Sequence, residues 1–239
     1  MKYLAVIPAR FEAARFPGKL MQQLGDKTLI AQTWLAAKGT ALFDEVIVAT
    51  DNDAIRREIE AYGGIVKMTR STHESGTDRL AEAVVNIEAD VIVNVQGDTP
   101  FINRQALEKL LNLFEDSGVQ VGSLMDEISH PEQLQDPNVV KVCVDYKMNS
   151  LLFSRSVIPY PRNNLSTIKH YRHIGVYAFR KAALLQFVQW PVSPLEDAEK
   201  IECLRFLENG VKLKMALTSP IGIDINMPDD LTKARAFFE

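Results

Sequence analysis

Strand-like and helix-like stretches alternate through the first half of this 239-residue chain, which predicts an α/β fold built on a mostly parallel, doubly wound sheet. Two further observations agree. "YLAVIPA" (3–9) and "DVIVNVQGD" (90–98) open as continuous apolar runs, the pattern of strands covered on both faces. Two helix-like stretches stop at glycines, Gly39 and Gly63–Gly64, where a helix can end in a left-handed turn.

Taken in order, "YLAVIPA" is the first strand and "KTLIAQTWLAAKG" (27–39) the first helix. "EVIVAT" (45–50) and "NDAIRREIEAYGG" (52–64) repeat the pair. "IVKM" (65–68) precedes the polar loop "TRSTHESGT" and the helix "DRLAEAVVNIE" (78–88), and "DVIVNVQGD" precedes the helix "NRQALEKLLNLFEDSG" (103–118). Right-handed crossovers connect such units. The second half changes character. "VVKVCVDYKMNSLLFSRS" (139–156) predicts two antiparallel strands joined at 147–149, and "RHIGVYAFR" (172–180) another strand. "PLEDAEKIECLRFLENG" (194–210) predicts one amphipathic helix, and "VKLKMAL" (211–217) a strand with one exposed face. "GIDINMPDDLTKARAFF" (222–238) predicts a short strand running into a helix with Pro228 in its first turn. The expected organisation is a single domain over 1–239: a core of 1–126, an inserted lobe of about 127–190, and a return to the core over 191–239.

Composition is that of a globular protein, 46% hydrophobic and 24% charged. A net charge of −4 argues against a nucleic-acid partner held by electrostatics. Cys143 and Cys203 sit in apolar surroundings and read as reduced, buried thiols. No secretory leader pattern opens the chain, and no apolar run approaches the ~18 residues of a membrane helix. A cytoplasmic protein without membrane insertion is expected.

Ligands of open α/β sheets bind beyond the carboxyl ends of the strands, and four suspicious segments fall at such ends: 9–19, 50–53, 96–100 and 222–224. The first, within "IPARFEAARFPGK" (7–19), carries Arg10, Arg15 and Lys19 but only one glycine, Gly18. It matches neither G-x-G-x-x-G nor a Walker A sequence. Anion binding there must use side-chain charge, and three cations suit a triphosphate. Asp98 in "VNVQGDTP" serves either as a helix cap or as a magnesium ligand, and Asp224 in "GIDIN" occupies a similar place, so the two could share one Mg2+. Asp51 and Asp53 in "TDND" read better as caps. In "HESGTDR", Thr77 is an N-cap candidate and Arg79 can reach a ligand from the first turn. Arg155, Arg162, Arg172, His173 and Tyr177 follow, with His173 and Tyr177 on one strand face; a lone strand histidine is also a common structural residue, and Glu196 in "SPLE" is equally open. The residues by themselves lead to a magnesium-dependent enzyme acting on a polyphosphate nucleotide and a second, anionic substrate.

In order along nearly the whole chain, "IPAR", "R.PGK", "IVATD", "H.SGT.R", "VNVQGD.P", "SR..IP", "RHIG.YA.R", "SPLE" and a late "G.D…P.DL" resemble the 3-deoxy-manno-octulosonate (KDO) cytidylyltransferases, the CMP-KDO synthetases of Gram-negative lipopolysaccharide biosynthesis. The ordered set is the specific signal, "H.SGT.R" with "RHIG.YA.R" and "SPLE" above all. The resemblance implies a Rossmann-like sheet of the GT-A-like nucleotidyltransferase type, with an inserted lobe for dimerisation and sugar binding, and hence a homodimer. It implies CTP and an acidic eight-carbon sugar as substrates and Mg2+ as cofactor: the anomeric hydroxyl attacks the α-phosphorus and pyrophosphate leaves. Residue by residue, it implies that Pro8, Ala9, Arg10, Arg15, Lys19, Ser75, Thr77 and Arg79 bind CTP. Asp98 and Asp224 would hold the metal, and Lys19, Arg10, Asp98 and Asp224 would act in catalysis. Gln96, Arg155, Arg162, His173, Tyr177 and Glu196 would surround the sugar acid.

The chain departs from the family pattern in several places. Thr99 replaces the glutamate of "GDEP", "F-E-A" (Phe11, Glu12, Ala13) stands in the opening loop where "Y-A-S" is usual, Glu74 replaces a glutamine, and the segment between Arg162 and Arg172 is short. The changed carboxylates could alter metal binding or favour a positively charged substrate, the 8-amino-3,8-dideoxy analogue. A sialic-type nine-carbon acid is the rival substrate, and "RHIG.YA.R" with "SPLE" argues against it. A catalytically silent nucleotide-binding homologue is the rival of another class, against which stand Asp98, Asp224 and the three loop cations.

Overall fold

The computed structural model describes residues 1–11, 16–73, 75–162, 168–225 and 227–238. The chain divides into two compact units, Met1–Leu107 with Ile221–Glu239, and Glu108–Pro220.

The first unit runs from β1 (Tyr3–Ala9) through a 3-10 turn (Lys19–Met21) and a small hairpin, β2 (Gln23–Leu24) and β3 (Lys27–Thr28). Then come α1 (Leu29–Gly39), β4 (Glu45–Thr50), α2 (Asp53–Ala61), β5 (Ile65–Met68), α3 (Gly76–Val84), β6 (Val91–Asn94) and α4 (Arg104–Asn112). β1 pairs in parallel with β4 on one side and β6 on the other, and β5 adds beyond β4. Leu4–Ile7, Ile47–Ala49 and Val91–Val93 are buried throughout, as the continuous apolar runs demand. Leu29, Ile30 and Trp34 of α1 and Leu80 and Val84 of α3 are buried as well, and removal of this apolar surface from water drives the assembly.

Short polar side chains start the helices. The Thr28 hydroxyl accepts the Ala31 N–H at 3.3 Å, and the Asn52 amide oxygen accepts those of Ala54 and Ile55 at 2.8 and 3.3 Å. The cap of α2 is thus Asn52, where the sequence pointed to the flanking aspartates. Asp53 is already helical and pairs with Arg56 at 2.9 Å. The cap of α3 is Ser75 instead of Thr77. Ser75 Oγ accepts the Asp78 N–H at 3.1 Å while the Asp78 carboxylate accepts the Ser75 N–H at 3.3 Å, a reciprocal box that places Thr77 inside the first turn, buried.

The second unit contains β7 (Val121–Glu127), α5 (Pro131–Gln135), β8 (Lys141–Val144), β9 (Ser150–Ser154), β10 (Tyr171–Arg180), α6 (Lys181–Phe187), α7 (Pro194–Glu199), α8 (Leu204–Glu208) and β11 (Lys214–Leu217). β7 pairs with β10 antiparallel and with β11 parallel, and β8 pairs antiparallel with β9 and β10. The segment expected as a lobe, about 127–190, lies inside this unit, which also takes in β7 before it and β11 after it. The β8–β9 turn forms where the sequence expects it, with Asp145 Oδ1 accepting the N–H groups of Lys147 and Asn149 at 2.8 Å each. The single helix expected over 194–210 is two. Lys200 adopts φ 52°, and the Glu199 carbonyl is taken by Arg155 Nε at 2.6 Å, so a side chain from β9's end supplies the bond that a continuing helix would have made.

After 220 the chain rejoins the first unit and ends in α9 (Pro228–Arg235). Residues 222–225 are irregular where a short strand was expected. Gly222 takes φ 67°, and a Cβ there would lie 2.8 Å from that of Phe101; this is a left-handed, crowded position that only glycine occupies without strain. The Ser75→Ala variant should lose about 1 kcal/mol of stability with the loss of the α3 cap, read as a lower urea midpoint at unchanged m-value.

Candidate functional site

In the first unit the carboxyl ends of β1 and β6, the start of α3 and the segment before α9 converge. Pro8 and Ala9 close β1. A Cβ on Gly76 would lie 3.4 Å from Pro8 Cγ and 3.9 Å from Gln96 Oε1, so the start of α3 lies against both. Arg10 Nη2 donates to the His73 carbonyl, and the His73 ring in turn meets the Glu82 carboxylate. Burial opposes ionisation of Glu82, but hydrogen bonds from His73 and Arg70 outweigh it and hold the carboxyl below its ordinary range.

Gly18, at φ 67°, turns the opening loop so that its N–H donates to the Phe11 carbonyl at 2.9 Å and Lys19 begins the 3-10 turn. Lys19 Nζ then meets the Asp98 carboxylate and donates to the Ile225 carbonyl at 3.0 Å. The Ile225 N–H donates to the Asp98 carbonyl at 3.1 Å. This crossed pair brings the exposed Asp224 to the Gln96–Asp98 turn, so the two aspartates singled out from sequence share one neighbourhood. Arg79 is wholly buried: Nη1 donates to the Thr69 hydroxyl at 2.6 Å, and Nη2 lies 3.3 Å from Asp51. Asp51 is thus a partner of Arg79, and neither it nor Thr69 was legible as such in the sequence. The backbone acceptors of Arg10 and Lys19, the carbonyls of His73 and Ile225, leave no sequence signal. Arg15, Glu12, Ala13 and Glu74 lie outside the described residues.

In the second unit the expected sugar residues have these places. Arg162 is exposed. Arg155 donates to the carbonyls of Glu199 at 2.6 Å and Pro137 at 2.7 Å. Glu196 is buried in a two-pronged pair with Arg205, at 2.6 and 2.7 Å, and also accepts the Ser193 N–H at 3.2 Å. His173 and Tyr177 do share a face, their rings 5.3 Å apart, although the β7–β10 register shifts between Ile174 and Tyr177. The Ser123 hydroxyl has one proton and two carbonyl acceptors, Val176 at 2.9 Å and Ile174 at 3.2 Å, so His173 Nε2, at 3.0 Å, is assigned as the donor to Ser123 Oγ. Burial lowers His173 to about 3, keeping it neutral, and raises the Tyr177 phenol well above its ordinary value. Both cysteines are free thiols, Cys203 buried and Cys143 partly so, and burial raises both.

A parallel sheet whose carboxyl edge gathers cations, a carboxylate-bearing turn and a helix start is the layout with which open α/β sheets hold phosphorylated ligands. Residues 4–213 match the family model described as cytidylyltransferase. The 3-deoxy-manno-octulosonate cytidylyltransferase of Flavobacterium johnsoniae is 50% identical over 99% of this chain and 98% of its own length; that of Christiangramia forsetii is 48% identical over 98% and 96%. Among solved structures, CMP:2-keto-3-deoxy-manno-octonic acid synthetase complexed with CTP superposes with a TM-score of 0.95 at 38% identity, covering 99% of this chain and 98% of that one. The chain belongs to the 3-deoxy-manno-octulosonate cytidylyltransferase family. No helix among the described residues is long and apolar enough to cross a membrane.

His173 supplies a pH test. Its folded value of about 3 lies below the ordinary 6.5, so on acidification through that window the unfolded chain binds a proton that the folded chain does not, and stability declines. The urea midpoint should fall between neutral pH and about pH 4.5, and fall less in His173→Gln.

Proposed function

We propose that this chain activates 3-deoxy-manno-octulosonate with CTP, releasing pyrophosphate and forming the CMP-sugar used in lipopolysaccharide synthesis. The observation that carries this reading is the near full-length likeness, at 38% identity, to a synthetase complexed with CTP. The anomeric oxygen forms a bond to the α-phosphorus as the α–β phosphoanhydride bond breaks; the electron pair leaves with pyrophosphate, and the hydroxyl proton passes to solvent water. Arg10 and Lys19, with Arg15 of the same loop, neutralise the triphosphate and the charge that grows on the leaving group. Pro8, Ala9, Ser75, Thr77 and Arg79 form the nucleotide side. The family likeness assigns Gln96 of the first unit and Arg155, Arg162, His173, Tyr177 and Glu196 of the second to recognition of the sugar acid, arginine being suited to its carboxylate. The motifs contain no dedicated base, so positioning and charge neutralisation supply most of the rate.

Asp98 and Asp224 are hard oxygen donors joined through the Ile225–Asp98 hydrogen bond, and a pair of carboxylates completed by phosphate oxygens suits Mg2+. When bound, the ion offsets phosphate charge and lowers the pKa of the attacking hydroxyl. The family likeness also supports a homodimer and a cytoplasmic setting. The 8-amino sugar is the finer alternative, resting on Glu12 and Glu74.

Pyrophosphate release with CTP and Mg2+ should be at least about tenfold more efficient, as kcat/KM, with 3-deoxy-manno-octulosonate than with its 8-amino analogue; the reverse order would assign the amino sugar, and no turnover with either would overturn the reading. Asp98→Ala should lower kcat by about 100-fold or more while calorimetry still shows CTP binding. Equal CTP binding and no turnover in both proteins would mark a silent homologue.

A further inference from the structure

Thr99 follows Asp98 in the turn after β6, and its environment assigns it a use. It is 8% exposed, and its hydroxyl donates to the Gln96 carbonyl at 2.6 Å, beside its own N–H at 3.2 Å. The next two carbonyls are held as well. That of Gly97 accepts from the Thr33 hydroxyl of α1 at 2.9 Å, and that of Asp98 accepts from the Ile225 N–H at 3.1 Å. Three successive carbonyls are therefore tied to three different parts of the first unit. Gly97 is pressed between β1 and the Lys19 turn: a Cβ there would lie 3.2 Å from the Pro8 carbonyl and 3.3 Å from Leu20. With its carbonyls spent on the scaffold, the turn has two polar side chains for other work. Gln96 lies toward Pro8 and Gly76, and Asp98 lies on Lys19.

We infer that Thr99 is a positioning residue for the reaction: with Thr33 and the Ile225 amide, its hydroxyl fixes the Gln96–Asp98 turn so that the Gln96 amide and the Asp98 carboxylate are set before substrate arrives. A side chain without a hydroxyl at this position would leave only the backbone bond to close the turn. Thr33 is buried on α1, and its one hydroxyl proton is shared between the carbonyls of Gly97 at 2.9 Å and Leu29 at 3.1 Å; it ties the turn to α1, and Thr99 closes the turn from within. The inference rests on the cytidylyltransferase reading for its kinetic consequence and on geometry alone for its structural one.

The test compares Thr99→Val, which keeps the branched shape and removes the hydroxyl, with Thr99→Ser, which keeps the hydroxyl. In Thr99→Val, kcat should fall by about tenfold or more, toward the ~100-fold that a 1 Å misplacement causes. KM for CTP should move less than about threefold, and Thr99→Ser should restore most of the rate. Amide hydrogen exchange supplies a readout that needs no turnover. The Thr99 and Ile225 amides should exchange faster in the valine variant while those of β1 and β4 keep their protection. A valine variant with wild-type kcat, or with unchanged exchange at Thr99 and Ile225, overturns the inference. A wild-type protein that turns over neither sugar overturns the functional reading instead, and the exchange result then decides the clamp by itself.

Discussion

The Lys19 ammonium holds the first unit's candidate site together. It meets the Asp98 carboxylate and the Ile225 carbonyl at once, joining the loop after β1, the turn after β6 and the segment that leads into α9. These stretches are far apart in the chain, and one ammonium satisfies a carboxylate on one and a backbone carbonyl on another. Because the pair is only slightly exposed, at 14% and 19% for the two side chains, solvent screens it less than it would a surface ion pair.

The same economy explains the absence of a glycine-rich cradle. A glycine loop offers backbone N–H groups to an anion. Here the backbone N–H groups of Gly18, Lys19, Thr99 and Ile225 are occupied by the carbonyls of Phe11, Phe16, Gln96 and Asp98. Positive charge at this edge is left to side chains, Arg10 and Lys19.

The second unit uses buried charge differently. Glu196 and Arg205 satisfy one another, and Arg205 also lies over the Phe187 ring at 4.2 Å. Lys141 is wholly buried with its ammonium on the carbonyls of Asp136, Val139 and Arg155, and burial lowers its pKa. Arg155 in turn holds the successive carbonyls of Glu199 and Lys200 where α7 ends. Such groups cost free energy if left unpaired, so the backbone there is held to the geometry that pairs them. The neutral His173 ring, donating to Ser123 beside Tyr177, sits within this rigid setting.

By itself the sequence determined the alternation of strands and helices in the first unit, the antiparallel pair at 141–154, three of the four polar segments at strand ends (9–19, 50–53 and 96–100, but not 222–224, which follows no strand), and the family. These follow from local patterns: apolar runs, glycine stops and ordered motifs. It misplaced the caps of α2 and α3, because several neighbouring residues can cap and only backbone geometry selects one. It missed β7, whose "VGSLMDE" mixes glycine and aspartate into a run that β10 and β11 complete. It joined α7 to α8, because the side chain that ends α7 comes from a residue 44 positions away. Tertiary structure alone decided that Asp51 faces Arg79, that Glu196 is bound to Arg205, and that Thr99 closes the turn beside Asp98. Asp51 and Arg79 lie on different segments, as do Glu196 and Arg205, so packing selects these partners; the Thr99 bond is local, and only the backbone geometry of the turn aims its hydroxyl at the Gln96 carbonyl, which no local pattern records.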